Sequence, residues 1–551
     1  MSEPLSASEV RRRRLRRPRR SGEAPPPDPR GPMAAGVVLG VVVVLVGLGT
    51  VLPAAGEPER ASVTTEPVVS STAVCPEPGS IDGARTTSSM TVVPDLPGQE
   101  GDGSASVIYL AGADDSDLVD TGADQPEASL AEPGDSASVV ADSRRLPPLE
   151  VRTTGSLAPG LVAGQLTQDS YNDNRGLAST ACLGPDTSWW FVGGGSSVGR
   201  ETQLVLVNPE ATPAELDVDI SGPDGPLATP GLRGLVVEAH SRRVVRLSRE
   251  APRQASVAWH VTVRSGRVMA AVSDSQIEGF IPRGADWIPP SADPATRVLI
   301  PGIIDGEGGR QLLVHAPGDI DATVKVRLVT EGGSYVPSAM SSVDVPAGTV
   351  VAVDLDSALD GQAATLDLQS DVPIVAGVRQ RHPGVDSRTG SLEETSFAAG
   401  AVLISDIAAA AGLPGERSTA VTLWLTAPGP VQQVLPQGDA ATTDTVDDTP
   451  VTVTVRVLPF ADGTVLPSPD PLTVTVPRDR LVTVDIPRPE GATWFTAVVE
   501  PVGGPIVVAH RALKRNPDGS MITGYPWRPL RTSAQVPWAR EDAAITLPSA
   551  P

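Results

Sequence analysis

The chain has 551 residues, of which 56 are proline, 54 are glycine and only 3% are aromatic. Its formal net charge is −23, and this charge is divided unevenly, because residues 1–32 carry nine arginines against four acidic residues. The other 519 residues therefore carry 34 basic and 62 acidic groups. A surface this acidic repels a polyanion, so nucleic acid is excluded as a partner of the main part of the chain.

An arginine-rich start is followed by an apolar run. Residues 33–55 (MAAGVVLGVVVVLVGLGTVLPAA) contain no charged side chain, and as a helix they are long enough to cross a hydrocarbon layer of about 30 Å. Because arginines stay on the cytoplasmic side, the pattern predicts a disordered cytoplasmic segment at 1–32 and a transmembrane helix at 33–55. The protein is then a single-pass plasma-membrane protein with most of its chain outside the cell. A cleaved signal peptide ending near Ala55 is the alternative.

The two cysteines, Cys75 and Cys182, both lie in the predicted exterior. An oxidising compartment favours a disulfide between them, and two free thiols are the alternative. Between them, short segments alternate apolar and polar residues as strands do, which predicts an N-terminal β domain at 56–186 closed by the disulfide. Within it, residues 112–135 hold eight acidic and no basic groups, which predicts a solvated loop.

A pattern of three elements recurs three times in the rest of the chain. The first element is an apolar strand running into a proline turn, the second is a turn followed by a strand of period-two alternation, and the third is an apolar strand. The first elements begin at Gln203, Gln311 and Val421, the second at Val237, Val345 and Val476, and the third at Val268, Ile374 and Ile506. The constant order indicates one β unit of roughly 100 residues duplicated twice, and a unit of that size encloses its own core.

These patterns predict an all-β protein with tandem immunoglobulin-like β-sandwich domains on a single N-terminal transmembrane helix. Strands rich in Val, Thr, Leu and Ile, separated by Pro, Gly, Asp and Ser, are typical of such sandwiches. The predicted sandwiches occupy residues 187–295, 296–395 and 396–530, and a C-terminal tail occupies 531–551. The only candidate for a short helix outside the membrane lies at 405–412.

One stretch carries a family resemblance. Residues 164–195 read GQLTQDSYNDNRGLASTACLGPDTSWWFVGGG. This stretch resembles the signature of a DUF5719-like family of unknown function, composed of membrane-anchored, exported actinobacterial proteins. The resemblance rests on Cys182, Pro185, Trp190, Phe191, Gly193 and Gly194, and it extends from about residue 75 to about residue 514. It implies an exported protein without an established activity, and a membrane glycosyltransferase of envelope polysaccharide synthesis as a partner.

Few residues stand out as candidate contacts. Sugar-binding sandwiches present exposed aromatic rings, and Trp287, Trp527 and Trp538 lie in proline-rich connections. We therefore predict glycan or partner contacts at these tryptophans and at Arg379 and Arg511, which occupy the same place in the third strand of two repeats. The alternative is that the tryptophans fill the junctions between sandwiches.

No spacing of residues selects a catalytic site or a cofactor. The five histidines are dispersed and form no HExxH motif. Calcium at the run around Asp169 and Asp173, or at Asp305 and Glu307, is a weaker alternative to ordinary turns, because neither run has EF-hand spacing.

The sequence therefore predicts a non-enzymatic cell-envelope protein. We expect a membrane-tethered stack of β-sandwiches that binds wall polysaccharide or scaffolds an envelope-assembly partner. A glycan hydrolase with two carboxylates facing each other across an interdomain cleft is the alternative.

Overall fold

The computed structural model describes residues 63–76, 84–110, 127–141, 146–170, 175–386, 390–429, 449–515 and 519–537. These residues are all-β, as the sequence predicts, and their strands pair antiparallel in several sheets. Their helical segments are two 3-10 turns (Pro230–Leu232 and Ser338–Met340) and two short α-helices, α1 (Leu247–Glu250) and α2 (Asp356–Leu359). In these ranges no helix is long and apolar enough to cross a membrane. The predicted cytoplasmic and transmembrane segments, 1–32 and 33–55, lie outside them.

Strand β1 (Val63–Pro67) precedes module 1, which comprises residues 70–182. The strands of module 1 are β2 (Ser70–Cys75), β3 (Arg85–Val92), β4 (Gly103–Tyr109), β5 (Ser136–Ala141), β6 (Leu149–Gly155), β7 (Leu161–Asp169) and β8 (Gly176–Cys182). They form two sheets, ordered β2-β6-β4 and β5-β3-β7-β8. Apolar side chains from both sheets, including Met90 and Val151, share one core.

Module 2 comprises residues 188–288. Its strands are β9 (Ser188–Val192), β10 (Arg200–Asn208), β11 (Ala214–Gly222), β12 (Gly225–Pro226), β13 (Leu235–Val237), β14 (Ser241–Arg246), β15 (Ala258–Ser265), β16 (Met269–Glu278) and β17 (Ile281–Ile288). One sheet is ordered β14-β10-β16-β17, and the other is ordered β12-β11-β15-β9 with β13 beside β11. The core between them includes Phe191, Leu206 and Trp259.

Module 3 comprises residues 295–399. Its strands are β18 (Ala295–Ile303), β19 (Arg310–His315), β20 (Ala322–Thr330), β21 (Gly333–Tyr335), β22 (Val343–Val345), β23 (Val350–Asp354), β24 (Ala364–Asp386) and β25 (Gly390–Ala399). The long strand β24 pairs with β18 and β20 through its first half and with β19 and β25 through its second half. In β20 every second residue from Ala322 to Leu328 is buried in the core, as period-two alternation requires.

Module 4 comprises residues 408–523. Its strands are β26 (Ala408–Pro414), β27 (Thr419–Thr426), β28 (Val451–Ala461), β29 (Thr464–Val465), β30 (Leu472–Val476), β31 (Leu481–Asp485), β32 (Trp494–Val502), β33 (Val507–Lys514) and β34 (Met521–Thr523). Strand β26 replaces the short helix expected at 405–412, because its alanines pair with β32. The last strand, β35 (Ser533–Pro537), pairs with β1.

The three repeated elements lie side by side in each copy. Strand β10 lies between β14 and β16, β19 lies between β23 and β24, and β27 lies between β31 and β33. The register is the same in all three copies, since Gln203, Gln311 and Thr422 pair with Arg246, Asp354 and Asp485, respectively.

The first repeated strand is buried on both faces, which explains its unbroken apolar run. In β10, Leu204 and Leu206 enter the core of module 2, whereas Val205 and Val207 pack against Val74 of module 1. Strand β19 likewise buries Leu313 against module 2, and β27 buries Trp424 against module 3. Each repeat therefore docks on the module before it through the same sheet.

Module 4 returns to module 1 and closes the series. Val93 of module 1 packs with Ile407, just before β26, and with Val498 of module 4, and the Thr91 and Thr496 hydroxyls are 2.7 Å apart. Residues 65–534 therefore form one compact unit in which four modules contact one another in a closed ring. The sequence predicts a stack, because nothing in it indicates that the outer sheet of the last repeat packs against module 1.

Candidate functional site

The predicted disulfide is confirmed. Cys75 and Cys182 are bonded, with their Cα atoms 4.3 Å apart and both residues buried in the core of module 1. The bond joins β2 of one sheet to β8 of the other and links positions that are 107 residues apart in the sequence. In the chain-entropy model a loop of this length contributes roughly 4–5 kcal/mol of stability. The disulfide therefore links the two sheets of module 1 covalently.

Two of the three tryptophans chosen as glycan contacts are buried. Trp287 is 5% exposed and fills the junction between modules 1 and 2 beside Val74. Trp527 is 1% exposed, and its indole N–H donates to Nδ1 of His510 over 3.0 Å. Neither ring offers a face for stacking on a sugar. Trp287 lies at a junction between modules, as the alternative has it, whereas Trp527 lies in the core of module 4. Trp538 lies outside the described residues.

The two repeated arginines occupy equivalent module junctions. Arg379 of module 3 donates to the Gln276 side-chain oxygen of module 2, and burial, with Arg200 nearby, lowers its pKa to about 10. Arg511 of module 4 donates to Asp305 of module 3 over 2.7 Å and lies 4.9 Å from the ring centroid of Trp424. Both arginines therefore fasten one repeat to the repeat before it.

The structure also brings together buried polar groups that the sequence did not single out. Asp286 of β17 is 2% exposed. Its Oδ1 accepts hydrogen bonds from the Thr523 hydroxyl at 2.9 Å, from the Ser179 N–H at 3.2 Å and from the Trp287 N–H at 2.9 Å. These partners come from modules 4, 1 and 2. Burial raises the pKa of Asp286 well above its usual range.

An ion pair next to the Asp286 carboxyl brings in module 3, so that all four modules contribute to this group of residues. Arg175, which precedes β8, donates to Glu394 of β25, and its other terminal nitrogen donates to the Gly519 carbonyl over 3.1 Å. Glu394 is fully buried, and this burial raises its pKa to about 8 although the Arg175 guanidinium opposes the rise. We call Asp286, Ser179, Thr523, Arg175 and Glu394 the central cluster. Burial thus raises the pKa of both carboxyls, and the enclosure of the central cluster keeps them away from a macromolecular substrate.

A cluster of rings lies at the junction of modules 2 and 3. Trp190 stacks on His260 with 3.7 Å between the ring centroids and 7° between the planes, and His315 lies 6.2 Å from Trp190. Burial lowers the pKa of both histidines. The adjacent Trp189 faces the opposite way, into the core of module 2. Trp189 thus lies in the core of module 2, and Trp190 lies at the junction of modules 2 and 3.

Metal binding finds no support in the part of the chain that the structure describes. No group of three or more His, Cys, Asp or Glu side chains there is placed to hold an ion. Asp305, one of the weaker calcium candidates, is paired with Arg511, whereas Asp173 lies outside the described ranges.

Comparisons with known proteins give a family and no activity. No curated protein matches the chain. A family model described as a family of unknown function, DUF5719, matches residues 131–459. This match covers more than half of the chain, from module 1 into module 4. The chain therefore belongs to the DUF5719 family.

Proposed function

We propose that this chain is a non-enzymatic, membrane-tethered cell-envelope protein. Its four modules, which we take to be immunoglobulin-like sandwiches, form a rigid platform outside the cell that binds wall polysaccharide or scaffolds an envelope-assembly partner. The anchor is the transmembrane helix expected at residues 33–55, and its arginine-rich flank favours an outward orientation of the rest.

The observation that carries the proposal is the buried disulfide within an all-β unit. Structural disulfides persist in oxidising compartments and are rare in the cytosol, and the Cys75–Cys182 bond lies in the core of module 1. Its position there is typical of a permanent structural bond, since a redox-active pair needs solvent access.

The closed arrangement of modules supports a platform. Polar contacts join distant parts of the chain, such as the half-buried Arg327 pair with Asp479 between modules 3 and 4 and the buried Thr91–Thr496 contact between modules 4 and 1. Because contacts between the modules hold them in place, the unit keeps its surface in a fixed geometry. A fixed surface favours binding of a ligand or partner over catalysis that requires hinged domain motion. A glycan hydrolase with two facing carboxylates is the alternative prediction from the sequence.

Cell fractionation tests the proposal. We expect the full chain with a C-terminal tag to remain with the membrane after high-salt washing. External protease should remove the tag from intact protoplasts, and both cysteines should resist alkylation until a reductant is added. A chain found in the cytosol with two reactive thiols would contradict the proposal.

A further inference from the structure

The edge of module 2 carries an unusual concentration of positive charge. Strand β14 is an edge strand, since among the described residues it pairs with β10 alone. Together with α1 and the turn that follows, it forms the segment 241–253, which we call the basic edge. Its charged side chains are five arginines and one acid, namely Arg242, Arg243, Arg246, Arg249, Arg253 and Glu250.

Four of these arginines point to solvent without a partner. Arg243, Arg246, Arg249 and Arg253 are exposed, and their guanidinium groups form no ion pair or hydrogen bond with any described residue. The rest of the exterior is strongly acidic. Unpaired guanidinium groups on an acidic protein therefore point to a partner outside the described fold.

The other two copies of the repeat show that the fold does not need this charge. The equivalent segment of module 3, residues 349–361, contains three acidic and no basic side chains, and that of module 4, residues 480–492, contains two of each. In the shared register, Arg246 is replaced by Asp354 and Asp485. The net charge of this equivalent segment is thus +4 in module 2, −3 in module 3 and 0 in module 4. The arginines are therefore a property of module 2 alone.

The chemistry of the basic edge selects the kind of partner. Guanidinium groups pair with carboxylate and phosphate groups. A protein partner also needs apolar anchors at the centre of its contact, but Val245 and Leu247 are buried and Val244 is packed against module 1. We propose that the basic edge binds an anionic polysaccharide of the envelope. This inference rests on the proposed function and specifies its ligand.

The test uses the exterior, residues 57–551, because residues 65–534 form one compact unit with its own cores and the nine arginines of residues 1–32 would themselves bind a polyanion. Binding of fluorescent polygalacturonate is measured at low and at high salt. The test variant, Arg243→Val with Arg246→Asp, installs the residues that module 3 has at these places. The control, Arg417→Val with Arg488→Asp, makes the same charge change at two exposed arginines of module 4.

We expect the unmodified exterior to bind polygalacturonate and to lose binding at high salt, because salt screens exposed charges. The test variant loses two guanidinium groups that pair with carboxylates of the polymer and gains one carboxylate that repels them. Its binding should therefore be roughly tenfold or more weaker. The control should change binding by much less, and Arg243→Lys with Arg246→Lys should retain most of it. Circular dichroism of each variant confirms that it is folded.

Three results would overturn the proposal. The first is no binding of polygalacturonate by the unmodified exterior, and the second is an equal loss in the test and control variants. The third is binding of polyglutamate of matched length as tight as or tighter than that of polygalacturonate, which would point to an acidic protein partner. The fractionation experiment does not depend on these arginines, so the envelope assignment and its ligand can fail separately.

Discussion

Asp286 is the residue whose chemistry depends most on how the modules meet. Its single hydrogen-bonded oxygen contacts Ser179 and Thr523, which are 107 and 237 positions away in the sequence, and Glu394 adds a second buried carboxyl nearby. No spacing rule links residues this far apart, so the sequence could not reveal the central cluster. Its burial is a consequence of ring closure.

Protonation of Asp286 makes stability depend on pH. A carboxyl whose pKa is higher in the folded than in the unfolded state stabilises the fold fully below its unfolded pKa, and this contribution is lost as pH rises through the folded pKa. The raised pKa of Asp286 therefore predicts that stability falls from about pH 4 upward. Asp286→Asn keeps the accepting oxygen and removes the titration.

We expect urea denaturation of this variant at pH 5, 7 and 9 to give a shallower fall in stability with pH than the unmodified protein shows. Glu394 is present in both proteins. Its pKa of about 8 accounts for the fall in stability with pH that remains in the variant. Parallel pH profiles for the two proteins would show that Asp286 does not hold its proton.

At the scale of strands, several junctions need backbones to approach more closely than a side chain allows. Gly284 of β17 lies against β25 of module 3, where an added Cβ would be 2.3 Å from the backbone nitrogen of Thr395. Gly164 of β7 lies against module 4, where a Cβ would be 2.3 Å from the Ala411 carbonyl oxygen. Glycine at these places permits the modules to dock.

Gly284→Ala should therefore destabilise the protein by about 2–4 kcal/mol, because the new Cβ meets a backbone atom that cannot rotate away. Gly306→Ala is the matched control. Both glycines have a positive φ, +97° and +90°, but nothing lies within 4 Å of a Cβ at Gly306, so only the backbone strain of about 1–2 kcal/mol applies there. Equal losses of unfolding free energy in the two variants would show that β17 and β25 are not in close contact.

The sequence predicts strands better than it predicts what covers them. Period-two alternation and the repeat indicate the all-β class, and a chain with only two cysteines in an exported segment leaves one intramolecular pairing for the disulfide. Alternation cannot say whether the second face of a strand meets water or another module. For this reason the sequence leaves Trp287 and Trp527 open to a sugar-binding interpretation, and it does not indicate the role of Arg379 and Arg511 at module junctions.

For the whole molecule, ring closure is the feature that changes the interpretation most. A linear row of modules would place the interfaces of modules 1 and 2, 2 and 3, and 3 and 4 in series and leave the outer sheets of modules 1 and 4 exposed. The contacts of Val93 with Ile407 and Val498 bury those sheets against each other. The central cluster then exists only because all four modules converge.

Small-angle X-ray scattering of the exterior tests this central claim most directly. A closed unit of residues 65–534 should have a radius of gyration of about 23 Å, the value for a compact chain of that length. Four modules of similar size in an extended row should give roughly 40 Å. A compact value that is unchanged at high salt is the predicted result, and a value near that of the extended row would contradict the closed ring and the rigid platform proposed on its basis.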